Sequence, residues 1–272
     1  MSSSTEHDIR TEIRSAADRM ARDLTRRVAD EPAVRATLRR GVGRRVEDPA
    51  MLPLHAFVTP YLGDLHERPR PGWSPTPGEA VERAFYAVAT LIAAQPRQVR
   101  DRDAEHGPGS GAAEERGGAD GVRETEGPAS EETEAFVPQD SAESHDVPEP
   151  SEPGGGQGPG GRYGLGSTLG TAVGEGLISN ADATEQRLHL LCRQSLDGVH
   201  AQLPRLLAHA RVQGARTDWG QLVLDLARWG GERDRVAKEW AQGFHRSLGT
   251  ARHTASKNTE TTENTNQEGS AA

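Results

Sequence analysis

Apolar residues recur at three- and four-residue steps along most of this chain. Ile9, Ile13, Ala17, Met20, Leu24 and Val28 form one stripe, the spacing of an amphipathic helix. Val34 and Leu38 begin a shorter helix that Gly41 stops. Leu54, Phe57, Val58 and Tyr61 mark another short element, closed by Pro60 and Gly63, and a Pro/Gly/Arg-rich loop follows it. Val81, Phe85, Val88, Leu91 and Ile92 predict a strongly apolar helix ending before Pro96. Further along, "GLGSTLGTAVGEG" reads as a short helix or turn. "NADATEQRLHLLCRQS" reads as a helix capped by Asp182 or Thr184. "GVHAQLPRLLAHARVQG" reads as a helix kinked or started at Pro204 and ended by Gly214. No run alternates with period two long enough to argue a strand, so the predicted fold class is all-α.

The stretch 217–244 holds three of the four tryptophans. Asp218 followed by Gln221 resembles a capping box. Leu222, Leu226 and Trp229 then recur at helical steps until Gly230-Gly231, where the pattern predicts a break. Val236, Trp240, Phe244 and Leu248 define a second helix, with Glu232, Arg233, Asp234 and Arg235 off its apolar face. Tryptophans on apolar stripes point to a core and not to a platform for stacked bases.

Charge divides the chain. Residues 1–100 carry 16 basic against 13 acidic side chains, residues 101–161 carry 3 against 16, residues 162–250 carry 11 against 9, and residues 251–272 carry 2 against 3. The acidic segment also holds 13 glycines and 7 prolines. Such a composition buries too little surface to offset ordering entropy. The expected organisation is therefore an N-terminal helical bundle over 1–100 and a disordered acidic Gly/Pro/Glu-rich linker over 101–161. A C-terminal helical bundle over 162–249 and a disordered tail over 250–272 complete it.

Catalytic and metal chemistry leave no signature in the linear sequence. No Cys/His cluster has zinc-ligand spacing, and no H-E-x-x-H occurs. "GPGGRYGLGSTLG" lacks the Lys-Ser or Lys-Thr of a phosphate loop, and no G-x-S-x-G is present. His189 and His209 read as surface or interface residues. The single cysteine, Cys192, sits beside an apolar stripe and reads as an inert buried thiol that fits a reducing cytosol. The longest near-apolar run, 84–94, is too short to span a bilayer. The expectation is a non-enzymatic cytoplasmic protein without cofactor, metal site or membrane partner.

Basic clustering remains. Arg39, Arg40, Arg44 and Arg45 crowd the end of one predicted helix, and Arg187, Arg193, Arg205 and Arg211 punctuate two others. Guanidinium groups at helix ends suit phosphate oxygens. They suit carboxylates and helix C-termini equally. A helical protein–protein adaptor and a helix-turn-helix regulator built on the Gly230-Gly231 corner therefore stand as alternatives to nucleic-acid binding.

The ordered series "ATLRRGVG", "AFVTPYL", "ERAFYAVATLIAAQ", "GLGSTLGTAV", "EQRLHLLCR", "LPRLLAHA" and "TDWGQLVLDLARWG" resembles the CasB family, the small subunit of the type I-E CRISPR surveillance complex Cascade. The likeness runs through 10–100 and 162–248. It includes the family's S-L-G motif, here with Thr168 inserted, and departs from the family in the long acidic segment. The resemblance implies a non-catalytic, two-bundle helical subunit present in two copies beside the other Cascade subunits. It would contact the guide RNA–target DNA hybrid and the displaced single strand and stabilise the R-loop. Carried to matching positions, it implies Arg40, Arg187, Arg193 and Arg205 as the main nucleic-acid contacts, with Arg39, Arg44 and Arg211 behind them.

Overall fold

A computed structural model describes residues 2–65, 67, 77–106 and 164–268. Among them there are helices, turns and no strand. The all-helical expectation holds. The body of the acidic segment, from 107 through 163, and most of the loop after α3 lie outside the described residues.

Helix α1 (Ser2–Asp30) buries Ile13, Ala17, Met20, Leu24 and Val28, the stripe read from the sequence. Helix α2 (Pro32–Arg39) opens with proline at its first position, where the missing N–H costs nothing, and buries Val34 and Leu38. A 3-10 turn over Pro49–Leu54 follows, its first turn capped by Asp48, which accepts from the Ala50 N–H. Helix α3 (His55–Leu62) contains Pro60 instead of ending at it, and Gly63 closes it with φ 51. Tyr61 donates its hydroxyl to Asp23 of α1 at 2.5 Å.

Helix α4 (Pro77–Ala94) is buried along most of its length, with Val81, Phe85, Val88 and Ala89 fully enclosed. It ends at Ala94, before Pro96 as expected, and a further helix, α5 (Arg97–His106), follows and buries Val99.

After the undescribed segment come α6 (Leu165–Gly174), α7 (Ala181–Cys192), α8 (Leu196–Val212) and α9 (Trp219–Glu268). The cap of α7 is Asn180, not Asp182 or Thr184: its side chain accepts from the Ala183 N–H at 2.8 Å. Helix α8 begins at Ser195, whose hydroxyl accepts from the Gly198 N–H, so Pro204 lies inside the helix. Gly214 ends that stretch with φ 105. The tail after Gly249, expected to be unstructured, carries helical backbone through Glu268.

The expected break is present one residue past the Gly230-Gly231 pair: helical geometry is interrupted at Glu232, with φ −120 and ψ 29, so α9 is two helical arms meeting at a kink, and neither glycine has positive φ. The bend is clamped electrostatically. Arg228, 4% exposed, reaches Glu232 at 2.9 Å and Glu239 at 2.8 Å, one acid at the bend and one beyond it. Arg10 of α1 reaches Glu232 from the other side at 2.8 Å.

The helices before and after the acidic segment share one hydrophobic core running from Ile9 in α1 to Phe244 in α9. Helix α9 joins them by packing against α1, α4 and α6. Its start is fixed by Asp218, which accepts from the Gln221 N–H at 2.9 Å. The reciprocal arm of a capping box is diverted, because the Gln221 side chain bonds Arg14 and Asp225 instead. All three tryptophans of this region are buried, Trp219 to 5% and Trp229 and Trp240 to 1% exposure. They are core, as their spacing predicts.

Candidate nucleic-acid interface

The end of α2 presents the first arginine group. Burial of Val34 and Leu38 turns Arg39 and Arg40 outward, and both side chains are exposed. Gly41 then packs so tightly that an added Cβ would sit 2.6 Å from Leu54 and 2.8 Å from Met51 and Thr90. The backbone after α2 is held against the 3-10 turn and α4 by that close approach. Neither Arg39 nor Arg40 makes an ion pair among the described residues. Arg39 also belongs to a like-charged neighbourhood. The Arg100 guanidinium of α5 is held below its ordinary value by burial first and then by Arg35, with Arg39 and Arg97 adding to the repulsion. Concentrated positive charge of this kind favours an anion.

Arg44 is differently placed. Its guanidinium donates to Asp48 at 2.8 Å and to the Arg40 carbonyl at 2.9 Å. The Asp48 carboxyl lies below the usual carboxylate range, chiefly through the Ala50 N–H and then through Arg44. A phosphate would have to compete with a pair already formed, so Arg44 is the weaker member of this group.

Helices α7 and α8 carry the second group. Arg187 on α7, Arg193 at its C-cap and Arg205 on α8 are all exposed and make no ion pair among the described residues. The two groups meet through Asp197 in the first turn of α8. It accepts from Arg45 at 2.8 Å and from Arg83 of α4 at 2.5 Å, and these partners, Arg83 first, hold its carboxyl low. Arg193 stands four residues before Asp197, so the loop after α2 and the α7–α8 corner lie on one side of the fold.

Arg211 is a correction. It is 2% exposed and its guanidinium is used inside the protein. It donates to the Ala215 carbonyl at 2.7 Å and to Gln95 Oε1 at 3.3 Å, and lies over the Trp219 ring with 5.6 Å to the centroid. A group this enclosed cannot meet a phosphate. The sequence did hold a signal, because Arg211 follows Leu203 and Leu207 at four-residue steps while Arg205 falls off that face. Conversely, Arg216 in the loop before α9 is exposed without an ion pair among the described residues, and clustering alone missed it. The like-charged group of Arg35, Arg97 and Arg100 was missed because it forms only when α5 packs.

Cys192 is pushed up to about 11 by burial, which keeps it a thiol. Among the described residues, no helix is long and apolar enough to cross a membrane.

The family profile of the CRISPR-associated protein Cse2 matches residues 34–245 of this chain. A chain from a "CRISPR RNA-guided surveillance complex, pre-nicking" is similar at 37% identity, with a TM-score of 0.60, over 89% of this chain and 99% of its own length. A chain from a "CRISPR RNA-guided surveillance complex" is similar at 37% identity, with a TM-score of 0.58, over the same shares. No protein of curated function matches.

Proposed function

Because the chain belongs to the CRISPR-associated Cse2 family, we propose that it is the non-catalytic small subunit of a type I-E surveillance complex. In that role it uses arginines to hold the guide RNA–target DNA hybrid and the displaced strand, and so stabilises the R-loop. The observation that carries this reading is the set of five exposed arginines, Arg39, Arg40, Arg187, Arg193 and Arg205, without ion pairs among the described residues. Other arginines of the chain are neutralised: Arg14, Arg44, Arg45, Arg83 and Arg228 all rest on carboxylates. Guanidinium groups fixed on rigid helices read backbone charge without reading bases. Formation of an R-loop is near energetic balance in a related RNA-guided system. A few phosphate contacts are then enough to tip it.

The test is binding of target DNA by the complex assembled with Arg40, Arg187, Arg193 and Arg205 changed to alanine together. Gel filtration first establishes that assembly is intact. The expected result is weaker binding with little dependence on target sequence. The plot of log affinity against log salt should flatten by roughly 0.7–0.9 for each arginine–phosphate pair removed. Intact assembly with unchanged affinity and unchanged salt slope overturns the assignment. The chain would then be a helical adaptor, a reading that exposed Leu52 on the 3-10 turn and Leu190 on α7 favour.

A further inference from the structure

Helix α7 lies antiparallel to the second arm of α9. The Cys192 thiol points at the Ala237 carbonyl, 3.8 Å away, while Glu185, seven residues earlier, meets His245, eight residues later. On α7 itself, Glu185 and His189 are four residues apart and therefore share one face. The Glu185 carboxylate Oε1 lies 3.6 Å from Nε2 of His245 and 3.9 Å from Nε2 of His189. All three ligand atoms fall within 4.8 Å of one another, the one such His/Glu cluster among the described residues.

We propose that Glu185, His189 and His245 form a binding site for zinc or a similar divalent transition cation that staples α7 to α9. Two imidazole nitrogens and one carboxylate oxygen are a donor set that zinc accepts. Calcium and magnesium favour all-oxygen shells of six or more ligands and are poorly served here. Zinc bonds of about 2.0–2.2 Å put tetrahedral ligands about 3.3–3.6 Å apart. The present separations therefore need only small side-chain rotations to close around an ion. The scaffold is rigid where it must be. Leu188 and Leu191 anchor α7 in the core, and Phe244, next to His245, is fully buried beneath α6. The three side chains stay partly exposed, at 33%, 47% and 57%, so an ion has an entry path and a fourth position open to water. This site is independent of the arginines, although Arg187 stands on the same stretch of α7.

The experiment uses the full-length, untagged protein with zinc and with cobalt as a spectroscopic probe. Calorimetric titration is expected to show one zinc ion per chain, and zinc but not magnesium should raise the melting temperature. Bound cobalt should give the intense visible absorption of a tetrahedral ion. His245→Ala and His189→Ala should each weaken zinc binding at least tenfold, judging from the losses that even ligand-supporting residues cause. Both positions are exposed, so the helical circular dichroism of the variants should match the parent. Absence of a stoichiometric site overturns the proposal. So does a cobalt spectrum that stays octahedral, or zinc affinity in His245→Ala equal to the parent's. In those cases Glu185 is only an acceptor shared by two imidazoles.

Discussion

Trp240 donates its indole N–H to the Asp225 carboxylate across 2.6 Å, within the two arms of the same bent helix. Gln221 donates to the other carboxylate oxygen at 2.7 Å, and Asp225 is 2% exposed. Burial pushes this carboxyl up to about 6, against the opposing pull of both hydrogen bonds and of Arg228. The bond ties the segment before the bend at Glu232 to the segment after it.

A pH dependence follows from this carboxyl. The folded state binds a proton that the unfolded chain releases between the ordinary value of 3.8 and about 6. Asp225 therefore makes the fold lose stability as pH rises through that window, by at most about 1.4 kcal/mol per pH unit. His200 acts in the opposite sense. Burial first, then Arg83, hold it down to about 3, so the unfolded chain binds the extra proton between 3 and 6.5 and stability rises with pH there. The parent protein should show a shallow profile between pH 4 and 6. Urea unfolding of Asp225→Asn should uncover the rising slope, and His200→Gln the falling one. Identical profiles for parent and Asp225→Asn would show that the carboxylate does not titrate there.

Trp229 is 1% exposed, donates to the Gln194 carbonyl at 3.1 Å and packs on Trp240 with ring centroids 4.8 Å apart. Trp229→Ala should cost roughly 3–5 kcal/mol, the range for an aromatic core truncation. Thermal melting measures it. An unchanged melting curve together with abolished DNA binding would make the tryptophan a stacking platform after all.

Three glycines of α6 lie one helical turn apart against α9. A Cβ on Gly166 would stand 1.7 Å from the Trp240 carbonyl oxygen, and one on Gly170 would stand 2.2 Å from that of Phe244. One on Gly174 would meet the Ala251 side chain at 2.5 Å. Backbone oxygens cannot rotate away, so the helices would have to separate. Alanine at Gly166 should cost at least the upper end of the ~1–3 kcal/mol typical of overpacking, with Gly174→Ala milder. Native-like melting of Gly166→Ala would mean that the two helices are not in this contact.

Arg211 and Arg205 make a matched pair, six residues apart on one helix. Arg211→Ala leaves Gln95 and the Ala215 carbonyl without their buried donor and should cost about 1–3 kcal/mol. Arg205→Ala should leave stability within about 0.5 kcal/mol, as for surface sites generally, while weakening DNA binding by the assembled complex. Denaturation curves and binding isotherms of both variants separate the two roles. Equal effects on stability would contradict the burial difference.

Helical periodicity by itself determined the class of fold and most of its core. Ile13, Leu24, Val81, Phe85, Leu203, Leu222 and Trp229 are buried where their spacing puts them, because a 3.6-residue repeat leaves an amphipathic helix only one apolar face to hide. The motif order also carried the family. What periodicity cannot carry is the identity of the partner across the core, which depends on how helices meet. Only packing decided that Gly166 and Gly170 are an approach surface and not a loose turn. Only packing made Arg211 an internal donor and gave Arg44 to Asp48. The same holds for His245, which reaches Glu185 across 60 residues of sequence. A hydrogen bond or ligand shell needs atoms within a few ångströms, and between helices far apart in the chain that distance is set by tertiary structure alone.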